Sequence, residues 1–166
     1  MFRRAAVAMA VLAALCGTAP VVSAAEAGTV FTFDAAAGAH PVNDRSGEWS
    51  VPGHEIMVWE NDAIVKIDAA TLTGFDWIRV EINGAARTPL TTGHYPDVRN
   101  RDADLVSPGM QVISNGFGCG DHYGEFTITR IERDAGGGLT ALDATFTQRC
   151  GDPAGPALHG SIQFEA

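Results

Sequence analysis

Along residues 75–83 the chain alternates strictly, with Ile78, Val80 and Ile82 on one parity and Trp77, Arg79 and Glu81 on the other. Successive side chains of a strand point to opposite faces, so this pattern predicts a half-buried strand with its aliphatic stripe on the core. Residues 123–132 repeat the pattern, with Phe126 and Ile128 opposed to Thr127 and Thr129. Leu142, Ala144 and Phe146 alternate with Asp143, Thr145 and Thr147, and Ile162 and Phe164 with Gln163 and Glu165. Further strands are expected over 29–34, 55–60, 63–68 and 110–114. No stretch beyond residue 25 sustains a 3.6-residue apolar period, and 19 glycines and 8 prolines punctuate the runs. Many short strands at this spacing predict an all-β fold, an antiparallel β-sandwich or jelly-roll-like single domain.

The first residues follow a different rule. Arg3 and Arg4 precede an unbroken apolar run over 5–15, and Val22-Ser23-Ala24 supplies the small residues of a cleavage site. Charged, apolar and small-residue regions in that order predict a secretory signal peptide over residues 1–25, leaving 26–166 as the working domain. The run is shorter than the roughly 20 residues of a membrane span, so no span is expected. Cys16 raises the possibility of lipid attachment, but Leu15 precedes it where that processing takes a small residue. Simple cleavage is the expectation, and with it a secreted or periplasmic protein.

Removing residues 1–25 takes two of the 11 basic residues away and leaves nine against 20 acidic ones. A surface of that sign repels phosphate backbones and anionic lipid, which argues against nucleic-acid and membrane-surface roles. Lys66 is the only lysine; the remaining basic residues are arginines. About 140 residues suit one domain with one core, and a monomer is expected.

Two cysteines survive the predicted cleavage, Cys119 and Cys150, almost symmetric about Gly136-Gly137-Gly138. A hairpin turning near Gly137 brings them within a few residues of register, and a bulge at Gly118, Gly120 or Gly124 could absorb the offset. An exported chain oxidises such a pair, so a disulfide is predicted, worth roughly 3 to 4 kcal/mol in the chain-entropy model.

Candidate chemistry gathers beside it. Cys119-Gly120-Asp121-His122, with Cys150 and His159, could in principle hold zinc, but the cysteines are not a close pair and the bridge consumes their thiols. Asp121 and Glu125 could act as a hydrolytic carboxylate pair, and Asp102 and Asp104 could hold calcium. In a chain with 20 acidic residues, a solvated strand edge and a turn explain these better. No nucleophile elbow, no H-E-x-x-H and no phosphate-cradling loop is present, and no cofactor or metal is expected. Trp77 beside Arg79 and Glu81 is the more informative feature: a flat apolar ring with polar neighbours suits a sugar or a partner surface, and the competing reading is that another strand or a loop covers it. Trp49 and Trp59 read as core or rim, and Tyr95 in Gly93-His94-Tyr95-Pro96 as a turn anchor.

From Gly93 onward the motifs G-H-Y-P-D-V-R, P-G-M, S-N-G-F-G-C, G-E-F-T-I, F-T-Q-R-C and P-A-L-H-G-S-I follow in order. In these the chain resembles a recurring domain of exported bacterial proteins, actinobacterial and myxobacterial among them. The resemblance covers about half of the domain and implies a secreted β domain with a paired-cysteine signature, without a mechanism. Phe117, Gly120 and Arg149 stand where that pattern commonly has Arg, Asn and His, so any ligand held by those positions would be held differently here.

These readings converge on a secreted, non-enzymatic binding module for carbohydrate or another extracellular surface. The ligand-binding candidates are Trp77, Arg79, Phe117, Asp121 and His122. Two alternatives stand beside it: an extracellular or periplasmic hydrolase using Asp, Glu and His of the Cys119 loop, and a structural envelope-associated protein.

Overall fold

The computed structural model describes residues 28–166, so the predicted signal segment and Cys16 lie outside the described residues. Eleven strands carry this region: β1 (Val30–Ala35), β2 (Ser46–Ser50), β3 (His54–Asn61), β4 (Ile64–Thr71), β5 (Trp77–Asn83), β6 (Gly93–Asn100), β7 (Gly109–Ser114), β8 (Phe117–Gly118), β9 (His122–Arg133), β10 (Leu139–Cys150) and β11 (Ala157–Glu165). One 3-10 turn at Ala85–Arg87 is the only helical element among the described residues. The all-β expectation holds.

The strands form one sheet in the order β2-β1-β11-β10-β9-β6-β7-β5-β4-β3, with the short β8 on β7. The ladders are antiparallel except β6–β7, where Arg99 faces Gly109 and Asn100 faces Met110. Through β6 the sheet curls back on itself as a nearly closed barrel around one core. Phe31, Phe126, Leu142, Leu158 and Ile162 from one wall meet Val65, Ile67, Ile78, Val80 and Val112 from the other, all buried. The edge strands β2 and β3 meet without a ladder. Trp49 stacks on His54 there, ring centroids 5.8 Å apart, and the Ser50 amide donates to His54 Nδ1 at 3.3 Å.

A row of rings crosses six strands of the first wall. Gly47, Phe33, Gly160, Phe146, Phe126 and Tyr95 are successive cross-strand partners. Glycine is needed where rings lie across it. A Cβ on Gly160 would stand 2.3 Å from the Phe146 ring and 3.0 Å from the Thr32 carbonyl.

The β9–β10 hairpin turns at the glycine run as its composition predicts. The Asp134 amide donates to the Gly138 carbonyl, and Asp134 Oδ1 accepts the Gly136 and Gly138 amides at 2.8 Å. Gly137 sits at φ +84°, a backbone region that favours glycine. The ladder shifts register twice, between Leu139 and Ala141 and between Asp143 and Ala144, and not at Gly118, Gly120 or Gly124. Gly124 is instead held by a close approach: a Cβ there would meet the Thr147 carbonyl at 2.0 Å.

Residues 93–100 form a strand where the Gly-His-Tyr-Pro run suggested a turn. Pro96 is tolerated because the ladder with β9 is broken between Tyr95 and Val98, so its missing amide costs no ladder bond. Tyr95 keeps an anchoring role: its hydroxyl bonds Thr91 while its ring stacks on Phe126 at 4.5 Å.

Gly160→Ala should lower unfolding stability by about 1–3 kcal/mol through overpacking. Gly120→Ala, whose Cβ would meet nothing within 4 Å, should stay within about 0.5 kcal/mol. Urea denaturation of the two variants measures the contrast, and equal effects would refute the ring-over-glycine account.

Candidate functional site

Cys119 and Cys150 are bridged, with their Cα atoms 5.7 Å apart. Cys150 pairs with His122, so Cys119 lies three residues beyond the end of the ladder and the loop 119–121 makes up the offset. The Gly151 amide donates to the Asp121 carbonyl at 2.9 Å, and Asn100 Nδ2 donates to the carbonyls of Cys119 and Gly120. The disulfide agrees with an oxidising extracellular or periplasmic compartment. Among the described residues, no helix is long and apolar enough to cross a membrane.

The candidates in this loop separate. Asp121 is exposed, whereas His122 is only 2 % exposed and neither ring nitrogen makes a well-aligned hydrogen bond. His122 shares its parity with Gly124, Phe126 and Ile128, the inward positions of β9, so the strand that carries it turns it into the barrel. Burial pushes its imidazole down to about 4, against weaker upward pulls from the Cys119 backbone and the Asp121 charge. A hollow of about 180 Å³ beside it is lined by Arg99, Asp104, Asp121 and Tyr123. The Arg99 guanidinium lies over the Tyr123 ring at 4.9 Å. Asp104 Oδ1 accepts the Val106 amide at 2.7 Å, a turn-forming role, and these bonds hold its carboxyl below the usual range.

Trp77 and Arg79 share the outer face of the second wall. Both Asp68 oxygens receive Arg79, from Nε and Nη2 at 2.6 Å each, a bidentate pair that raises the Arg79 pKa. Half-buried Trp77, Met57, Glu55 and this ion pair line a cleft of about 230 Å³. Gly74 of the β4–β5 turn completes it, and that turn carries Phe75, 89 % exposed, and Leu72, 64 % exposed. The alternation over 75–83 had put Phe75 at the start of a strand, which begins instead at Trp77. Glu81, on the same face, is buried: Lys66 and Arg101 flank it at 3.7 and 2.6 Å, the latter contact poorly aligned for a hydrogen bond.

Phe117 does not join this surface. Asn115 and Gly116, both at positive φ, make a two-residue turn between β7 and β8. The turn pairs Phe117 with buried Ser114, on the face opposite Trp77 and Arg79. Phe117 is 64 % exposed and meets His40 edge-on at 6.5 Å.

A groove of about 350 Å³ lies elsewhere, on the outer face of the first wall. One cross-strand row along it runs Asp34, His159, Thr147, Glu125; the next runs Thr32, Ser161, Thr145, Thr127 and ends at His94. The floor is the backbone of the aromatic row, Phe33, Gly160, Phe146 and Phe126. Side chains bond one another along the rows: Thr32 to Ser161 at 2.7 Å, Thr147 to His159 at 3.0 Å, His94 to Thr127 at 3.1 Å. Ser46 donates to Asp34 at 2.6 Å, and His94 Nε2 lies 3.5 Å from Glu125. Sequence reading placed Thr127, Thr145 and Thr147 on outward faces but had no means of joining them. Among the described residues, no three His, Cys, Asp or Glu side chains converge as a metal ion would require.

The two carboxylates of the groove stand three strands apart. At about 4.8 Å per strand their backbones are roughly 14 Å apart. No family model, no curated protein and no solved structure matches this chain.

Neutral burial of His122 sets a pH dependence. Its folded pKa, about 4, lies below the ordinary value near 6.5. Between these values the unfolded chain binds the proton more readily, so stability falls as pH drops through that window, by up to about 3 kcal/mol. Denaturation midpoints measured at about pH 6.5 and pH 4.5 should fall for the native chain and fall less for His122→Phe. An equal fall in both would assign the effect to the carboxylates.

Proposed function

We propose that this chain is an exported, monomeric, non-enzymatic binding module that takes a saccharide on the Trp77 cleft. Its curled sheet acts as a sandwich-like scaffold whose outer faces are the working surfaces. The observation that carries the reading is the half-buried indole in a cleft of about 230 Å³, flanked by the Asp68–Arg79 pair and Glu55. A sugar ring offers an apolar face of C–H groups and a rim of hydroxyls. An indole covers the first, and fixed carboxylate and guanidinium groups hydrogen-bond the second. Arg79 is pre-oriented by its bidentate partner, so little side-chain freedom is lost on binding. Phe75 and Leu72 on the adjoining turn extend the apolar area at the rim.

A hydrolase working through the Cys119 loop draws no support from the geometry. His122 faces the core and Glu125 the outer face, and no hydrogen bond joins His122 to Asp121 or Glu125. A purely structural envelope role leaves the Trp77 cleft and the exposed Phe75 without a purpose.

A glycan array followed by calorimetry on the purified domain tests the proposal. Trp77→Ala should weaken the selected saccharide at least about ten-fold, and Arg79→Lys, which loses the planar fork, should weaken it less. Phe117→Ala should leave it unchanged. Unaltered binding by Trp77→Ala, or an array with no saccharide bound, would overturn the reading.

A further inference from the structure

We propose that the groove over β1, β11, β10 and β9 is a second binding site, specific for an amine-bearing oligosaccharide. It goes beyond the Trp77 reading and stands on different residues, on the other wall of the barrel.

Charge selects the ligand. The only carboxylates lining the groove are Asp34 and Glu125, one at each end of a cross-strand row, and no lysine or arginine lines it. The one imidazole lining the groove is His159, between Asp34 and Thr147 in that row; His94, just outside the lining, lies 3.5 Å from Glu125. Further along β10 and β11 the surface continues past Asp143 and Gln163 to Arg130, which is already engaged by Glu132 at 2.7 Å and Glu165 at 3.5 Å. A uronic acid or sulfated chain would meet like charge at both ends, in a protein with an excess of carboxylates. An ammonium group gains at each end.

Hydroxyls then select a polyol over a simple polyamine. Thr32, Ser161, Thr145 and Thr127 repeat at the strand spacing, about 4.8 Å, close to the length of one pyranose unit. Each hydroxyl can donate and accept, as sugar hydroxyls do. The groove presents no aromatic side chain, since its three phenylalanines are buried beneath it. Recognition here therefore rests on charge and hydrogen bonds, unlike the stacking at Trp77. Contacts along the rows hold these side chains in place before any ligand arrives.

Calorimetry at about pH 6 and low salt, where sugar amines carry charge, tests the site with three probes: a β-1,4-glucosamine hexamer, its fully N-acetylated form and a galacturonate hexamer. The glucosamine hexamer should bind and weaken about ten-fold or more on N-acetylation. The Asp34→Asn/Glu125→Gln double variant should weaken it similarly, and Thr145→Val/Ser161→Ala should weaken it with the charge intact. Circular dichroism confirms that each variant is folded. Trp77→Ala should leave this binding unchanged, which separates the failure of one site from the failure of the other. No binding of the glucosamine hexamer, preference for the galacturonate, or full affinity in the double variant would overturn the proposal.

Discussion

The row of rings across the first wall is the constraint on which the remaining features rest. Phe33, Phe146, Phe126 and Tyr95 fill the barrel at one level, and Gly47 and Gly160 give them room. Burying one phenylalanine contributes about 1.5–3 kcal/mol, so three of them rival the net stability of a small domain. Side chains alternate with a period of two, and a slip of one residue would expose every ring and bury the threonines between them. Register is thereby set strongly across six strands. The outer rows follow from it without further design: once Phe146 lies over Gly160, Thr145 must face Ser161 and Thr147 must face His159.

Closure depends on a second device. β6 belongs to two ladders, antiparallel to β9 and parallel to β7 for two residue pairs, and through it the walls become one sheet. A two-pair parallel junction is weak by itself, and side chains reinforce the ends. Arg133 reaches from β9 to Glu60 on β3 with two bonds and adds the Leu90 carbonyl. Arg45, between β1 and β2, pairs with Asp76 and also bonds Ser114 on β7. The disulfide ties the open end of the β9–β10 hairpin. Both outer faces are thus carried on a frame pinned at several corners.

The alternation over 77–83, 123–132 and 142–147 was legible because each strand has one face on the core. The turn at Gly136-Gly137-Gly138 and the cysteine pairing were legible because both are local or follow from one hairpin. His122 could have been read correctly as well, since its parity with Phe126 and Ile128 assigns it to the inside; its place beside Cys119 and Asp121 suggested a loop instead. Pro96 concealed β6, because a proline within a strand is tolerated only where the ladder is already broken. The groove was beyond reach for a different reason. Thr32 and Ser161 are 129 positions apart and meet only through the strand order. Nothing local in a chain specifies which strands become neighbours, so a site built from one residue per strand leaves no motif.

The arginines, without a reading in the sequence, acquire one in the structure. Arg45, Arg79, Arg101, Arg130 and Arg133 each pair with carboxylates, and Arg79 and Arg133 use the planar fork on both oxygens. Lysine has a single point charge and cannot copy that geometry, and Lys66 makes only a long contact of 3.7 Å with Glu81. Five of the eight arginines among the described residues thus hold strands and turns together through carboxylates. With 20 acidic residues in the chain, carboxylates remain that no arginine answers, and Asp34 and Glu125 are two of them. The acidity that argued against phosphate and anionic-lipid partners thus has a local form: the groove over the first wall carries two carboxylates and neither lysine nor arginine.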